Sequence, residues 1–566
     1  MLKGTGVSGG IGIGRILLAE NHSLEYEPVQ VTDTETEKRR FHNAVDRFCE
    51  NTRSQAEALR ISAGEKEADI MLGHISIVTD PFLTGEVEKL ISSGKCAEAS
   101  FENICEMFIQ IFSAADDDVT KQRAADVTDV KAGVLRILLG IEEADVSGAP
   151  AGTIICTKEI TPSMMSKINK EKIAGIVTET GSTTSHCAIL ARVMEIPAVM
   201  SVPDITDMAK NGDLAVIDGN KGQVILSPPE EQLKSYTEIR ERLMRERREL
   251  EQFRGKPTVS ADGRRYELVC NIGKPEDAVA ALEYDGEGVG LFRTEFLFMN
   301  KTSVPTEEEQ FQEYKKAALI LKGRPLIIRT LDIGGDKEIP YLGLENEDNP
   351  FMGFRAIRYC LKNRDVFKAQ LKAILRASAF GNVSIMFPMI TCVEEVREGR
   401  ALVEEIKSEL KAENTAFDEK IKVGIMAETA AAGITADLLA EESDFFSIGT
   451  NDLTGYTMAA DRGNADVSYL YSALQPSVVR MIKYIIKAAA EKGIPVGMCG
   501  EAAADPMMIP LLISFGLTEF SVSAPSVLRV RKYISSWTKE RADKVAEKVM
   551  TLSTEQEIRE YLESVL

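Results

Sequence analysis

The sequence predicts a multidomain α/β protein: an α/β domain interrupted by an inserted α-helical bundle, followed by a C-terminal TIM-type (β/α)8 barrel. Three observations predict it. A chain of 566 residues exceeds what one hydrophobic core supports. Short β-branched runs at the N-terminus give way to a long helical stretch and resume near residue 146. After Pro257, eight apolar strand-like runs alternate with helical segments over about 270 residues.

Taken in order, "GTGVSGGIGIGRILLAE" opens the chain and contains GxGxxG at Gly4, Gly6 and Gly9. A dinucleotide loop needs a strand before it and a helix after it. Only three residues precede Gly4, and "IGIGRILL" reads as a strand, so turns leading into an edge strand are expected. Residues 32–145 read as helices, with Thr34 or Thr36 as the first cap. "GTIICTKEI", "IAGIVTET", "IPAVMSV", "LAVIDG" and "QVILSP" then read as strands of the resumed domain. Pro228 and Pro229 break that pattern. The stretch 230–254 is charged on most faces, with Glu238–Arg242 and Glu241–Arg245 at i,i+4, and reads as an exposed connecting helix. The expected domains are therefore 1–20 with 146–228, the insert 21–145, the connector 229–256 and the barrel 257–566.

Composition narrows the function. Net charge is −21, against a nucleic-acid protein, whose binding face must be basic. No apolar run reaches a membrane span, and the N-terminus lacks a signal-peptide core, so a cytoplasmic protein is expected. The nine cysteines form no CxxC pair and read as reduced thiols. Residues 21–145 carry 25 acidic and 13 basic side chains, a net of −12. That surface suits either solubility or the steering of a basic partner.

In a (β/α)8 barrel the chemistry sits where strands end. Arg293 ends the second run, Arg329 and Asp332 the third, Glu428 the fifth, Asn451 and Asp452 the sixth, and Cys499 and Glu501 the seventh; Arg462 follows in the loop after the sixth. Arginines take phosphate or carboxylate bidentately. Glu428 and Asp452 are hard oxygen ligands suited to Mg2+ that keeps waters and shares a substrate phosphate. Asn451 can donate to a carboxylate, and Cys499 can act as acid or nucleophile. Singly, each has a plain structural explanation, such as a paired buried arginine or a packed thiol. Their recurrence at matching strand ends points to a small phosphorylated carboxylate with a divalent cation.

One of the four histidines stands apart. "GSTTSH" places a Gly turn and capping hydroxyls before the apolar helix "CAILARVMEI", which puts His186 at a helix N-terminus that favours an anion. A neutral imidazole there can attack phosphorus. His74, in "MLGHISIV", reads as a core or partner-facing residue without a catalytic role.

"GSTTSHCAILAR", "GLFRTEFLFMN", "IIRTLDIGGDKEIPY", "GIMAETAAA", "SIGTNDLTGYTMAADRGN" and "GMCGEAAADP" together resemble the phosphoenolpyruvate–protein phosphotransferases, Enzyme I of the bacterial sugar phosphotransferase system. The resemblance covers essentially the whole chain. It implies a swivelling phosphohistidine domain, with His186 phosphorylated through Nε2. It implies phosphate binding by Arg293 and Arg329, Mg2+ ligation by Glu428 and Asp452, and carboxylate binding by Asn451 and Arg462. Cys499 is implied as the acid that protonates enolpyruvate at C3. It further implies a homodimer through the barrel, and transfer onward to the carrier protein HPr docked on the helical insert. The chain departs from the family pattern at Ser182, Thr183, Met165 and Ala430. Dikinase relatives need an ATP-binding module for which there is no P-loop. A pyruvate-kinase-like barrel would leave residues 1–228 without a role.

Overall fold

In the computed structural model of the chain, residues 2–19, 24–62, 65–114, 118–141, 146–182, 185–299, 301, 303–334, 339–344 and 347–566 are described. They belong to two units, residues 1–246 and 247–566.

The first unit is built on an eight-stranded mixed sheet. Its strands are β1 (Leu2–Lys3), β2 (Thr5–Ser8), β3 (Ile11–Ala19), β4 (Thr153–Thr157), β5 (Ile173–Thr178), β6 (Ala198–Met200), β7 (Leu214–Asp218) and β8 (Gln223–Leu226). They lie in the order β1-β8-β7-β3-β4-β5-β6-β2, and β3 to β6 run parallel. The expected edge strand is corrected here: β3 is central, between β7 and β4, while β1 and β2 take the two edges. Edge and interior are decided by pairing with segments far along the chain, which the local pattern does not encode. The N-terminal glycines serve close approach. A Cβ added at Gly6 would meet the Gly219 carbonyl oxygen at 2.1 Å.

β3 and β4 are parallel neighbours, with Leu17 opposite Ile155. Between them in sequence come five helices: α1 (Thr34–Ser62), α2 (Glu65–Val78), α3 (Pro81–Ser92), α4 (Ala97–Ser113) and α5 (Asp118–Leu139). The chain leaves the sheet at β3 and re-enters beside it, as an insertion must. The bundle has its own core, including Phe41, Phe48, Val87, Phe101 and Val130. Its first cap is Asp33 and neither Thr34 nor Thr36. The Asp33 carboxylate accepts from the Thr36 amide at 3.1 Å and from its hydroxyl at 2.7 Å, and a carboxylate also suits the positive helix end. His74 is buried in the bundle, its Nε2 3.7 Å from Asp126 Oδ1. All nine cysteines are free.

The remaining helices of this part are α6 (Pro162–Ser166), α7 (His186–Val193), α8 (Ile205–Met208) and α9 (Glu230–Glu251). α9 is less exposed than its charge suggests: Leu233, Tyr236 and Ile239 pack on Ile11, Val216 and Ile225 of the sheet. That three-residue stripe is hidden among charges in the sequence. The unit boundary falls inside α9, between Glu246 and Arg247.

The second unit is a closed barrel of β9 (Glu267–Ile272), β10 (Val289–Arg293), β11 (Pro325–Arg329), β12 (Asn382–Phe387), β13 (Lys422–Ala427), β14 (Phe446–Ile448), β15 (Val496–Met498) and β16 (Glu519–Val522). Every neighbouring pair is parallel, and β16 closes on β9. Each of the eight expected runs coincides with one strand, β12 and β13 starting one residue earlier than expected. Leu291, Ile327, Met386, Met426, Phe445 and Cys499 form an apolar cluster separate from the main barrel core. Among the described residues no helix is long and apolar enough to cross a membrane.

Glu519, at the start of β16, lies against Gly497, where an added Cβ would meet its Oε1 at 2.6 Å. Burial of the carboxyl, and then the charge of Glu267, pushes its pKa from 4.5 up to about 8. The folded state therefore holds a proton that the unfolded chain releases. The contribution to stability is complete below about pH 4.5 and is lost as pH rises through about 8. Glu519→Gln should flatten this decline, so that the fall in Tm between about pH 5 and about pH 9 shrinks. An unchanged fall would mean that the carboxyl titrates normally.

Candidate active site

At the C-terminal ends of the barrel strands lies a cavity of about 250 Å³, lined by Arg293, Arg329, Glu428, Asn451, Asp452, Arg462 and Cys499 together with residues that the sequence did not single out. The fold explains the convergence. Arg293 and Arg329 are the last residues of β10 and β11. Glu428 follows β13, and Cys499 follows β15. Asn451 and Asp452 differ from expectation in one respect: β14 stops at Ile448, and both sit in the first turn of the helix Thr450–Met458. Two glycines allow the crowding. A Cβ at Gly449 would meet Glu428 Oε2 at 2.5 Å, and one at Gly500 would meet Thr450 Oγ1 at 1.8 Å.

The floor is a charge lattice. Arg329 Nη2 lies 2.7 Å from Glu295 Oε1 and 3.0 Å from Asp332 Oδ2. Arg355 Nη2 lies 2.8 Å from Asp332 Oδ1 and 3.7 Å from Asp452 Oδ2. Burial opposes the charge on both guanidiniums, but the surrounding carboxylates outweigh it and hold both pKa values above the ordinary value. Arg293 makes no ion pair with a described residue and is open to an anion. Arg329 Nε and Arg355 Nε are buried without hydrogen-bond partners.

Glu428 is the opposite case. It is 1% exposed and accepts from the Met389 amide at 2.7 Å. Burial first, then Asp452 and Asp332, push its pKa up to about 8. This excess of carboxylates fits a divalent cation. No group of three or more His, Cys, Asp or Glu that could hold a metal occurs among the described residues. Glu428 and Asp452, which both line the cavity, could hold such an ion, with its other positions left to water and substrate oxygens. Burial raises the Cys499 thiol to about 11, so at neutral pH it keeps its proton. It is suited to act as an acid and not as a thiolate nucleophile.

Arg355, Glu295 and Phe351 also line the cavity and were not read as site residues. Arg355 lies in the long connection between β11 and β12, outside any periodic run. It is followed by Ala356 in a positive-φ conformation (φ 52°). Glu295 begins a short helix just past β10.

His186 belongs to the other unit and is the first residue of α7. Ser185 caps that helix, its hydroxyl accepting from the Ala188 amide at 3.2 Å. The His186 side chain and Thr183 lie outside the described residues. Met165 is fully buried in an apolar cluster with Leu59, Met71 and Leu190.

Three families of known domains match in chain order. They are the N-terminal domain of PEP-utilising enzymes over residues 3–123, their mobile domain over 149–222, and their PEP-binding domain over 247–538. Proteins named phosphoenolpyruvate-protein phosphotransferase match along the full length. The relative from Listeria innocua is 43% identical over 99% of this chain and 98% of its own. That from Bacillus subtilis is 43% identical over 98% of each. That from Staphylococcus aureus is 40% identical over 99% of this chain and 98% of its own.

Proposed function

We propose a function from one premise: the chain belongs to the phosphoenolpyruvate-protein phosphotransferase family. It transfers the phosphoryl group of phosphoenolpyruvate to protein. The observation that carries this is the convergence of Arg293, Arg329, Glu428, Asn451, Asp452, Arg462 and Cys499 on one small charged cavity.

The acceptor is His186. Its imidazole attacks phosphorus, the bond from phosphorus to the enol oxygen breaks, and a nitrogen–phosphorus bond forms. Arg293 and Arg329 hold the phosphate, and Asn451 and Arg462 hold the carboxylate. Cys499 gives its proton to C3 of the departing enolpyruvate, which becomes pyruvate, and regains a proton from solvent. Glu428 and Asp452 would hold Mg2+, which when bound would supply charge neutralisation at the phosphate oxygens. His186 then passes the group to a histidine of the phosphocarrier protein HPr, docked on the acidic helical insert. The α/β domain carries the histidine between barrel and carrier, with α9 as the connecting arm. A cytoplasmic homodimer joined through the barrel completes the reading.

The test is direct. Incubate the protein with phosphoenolpyruvate, with Mg2+ or with a chelator, and map acid-labile phosphate by peptide mass spectrometry. Mg2+-dependent phosphate on the His186 peptide, with pyruvate released, supports the reading; its absence in folded protein refutes it. In the same assay Cys499→Ala should slow pyruvate formation by roughly 10²–10⁴. An unchanged rate would remove Cys499 from the acid role.

A further inference from the structure

Behind two of the strand ends that line the cavity runs a chain of hydrogen-bonded buried polar side chains. Gln370, on the helix Arg364–Ala377, is 1% exposed. Its Oε1 accepts from the Leu331 amide at 2.8 Å. Its Nε2 donates to Thr294 Oγ1 at 3.1 Å and to Tyr314 Oη at 3.2 Å. Thr294 Oγ1 in turn donates to the Arg329 carbonyl at 2.8 Å. Tyr314 donates to Gln310 Oε1 at 3.1 Å, and Gln310 donates to the Pro305 carbonyl at 3.0 Å.

Each hydroxyl and each amide in the chain gives and receives in one consistent direction. The direction is fixed because the Leu331 N–H can only donate, so a flipped Gln370 amide would set donor against donor. An apolar helix face would have packed here at lower desolvation cost, since buried polar groups stabilise only when fully satisfied. What the network holds is informative. The Arg329 carbonyl and the Leu331 amide flank Thr330, at the strand end that carries Arg329 and Asp332. Thr294 stands between Arg293 and Glu295. Four cavity-lining side chains thus hang on backbone that Gln370 ties together.

We propose that Gln370 is the positioning residue of this site: through Leu331 and Thr294 it fixes the two strand ends that present Arg293, Glu295, Arg329 and Asp332. The proposal rests on the phosphotransfer reading for its kinetic consequence and on geometry alone for its structural one. Gln370→Met keeps the length and removes every polar partner. In the full chain it should lower kcat for phosphoenolpyruvate-dependent pyruvate release by roughly 10²-fold with little change in KM, because an ångström of misplacement costs about that much. Thr294→Val should give a similar loss, and the double variant little more, because either change breaks the same chain.

Hydrogen exchange at the Leu331 amide should accelerate in Gln370→Met while the barrel strands stay protected. A variant that melts earlier yet keeps wild-type kcat and KM overturns the proposal, as does exchange at Leu331 that stays slow. If the wild-type chain itself releases no pyruvate, the functional reading fails, and Leu331 exchange still decides the positioning role.

Discussion

His186→Ala should reduce phosphoryl transfer to background while leaving phosphoenolpyruvate binding intact. The expectation follows from the division of labour between the two units. His186 is the first residue of α7, and alanine is the best helix former there, so the helix persists. The Ser185 cap is untouched. The cavity that would bind substrate lies wholly on residues 291–501 of the other unit. Calorimetric titration with phosphoenolpyruvate should give a wild-type affinity, and mass spectrometry should find no phosphate on the α7 peptide. Phosphate appearing on another residue at a wild-type rate would refute the relay through His186.

Changing Arg329 should be costly twice over. The side chain is buried among Glu295, Asp332 and Glu428. Arg329→Met strands these carboxylates without their counter-charge, and breaking a buried pair this way costs about 3–5 kcal/mol. On the proposed phosphate-binding role, the same variant also loses on the order of 10³-fold or more in phosphoryl transfer. Arg329→Lys separates the two effects. It keeps the charge, and one ammonium can meet Glu295 and Asp332 as Nη2 does, but it lacks the planar fork that suits a phosphate. It should melt close to wild type while kcat/KM for pyruvate release falls at least tenfold. If Arg329→Lys keeps full activity, Arg329 is only a structural counter-ion.

The site was legible where local signals carry chemistry. The eight runs after Pro257 located all eight barrel strands, and a polar residue just past an apolar run marked Arg293, Arg329, Glu428 and Cys499. The helix that begins at His186 was legible through a turn, hydroxyl caps and an apolar run in sequence. Arg355 was not, because it sits in a long connection without periodicity and acquires its role only by reaching Asp332 and Asp452. Gln370 was invisible as well. On a helix with a strong apolar face, a lone glutamine gives no sign of meeting Leu331 and Thr294. The central place of β3 and the seating of α9 on the sheet were lost for the same reason.

By itself, then, the sequence determined the order of elements, the presence of an insertion, the barrel, and which residue types stand at the strand ends. Those follow from periodicity and turn chemistry, which act over a few neighbouring residues. Tertiary structure alone decided that Glu428 sits near pKa 8, that Cys499 keeps its proton, and that Arg329 is already neutralised while Arg293 is open to an anion. Desolvation and Coulomb energy depend on distances between side chains tens to hundreds of positions apart, and those distances exist only once the barrel has closed.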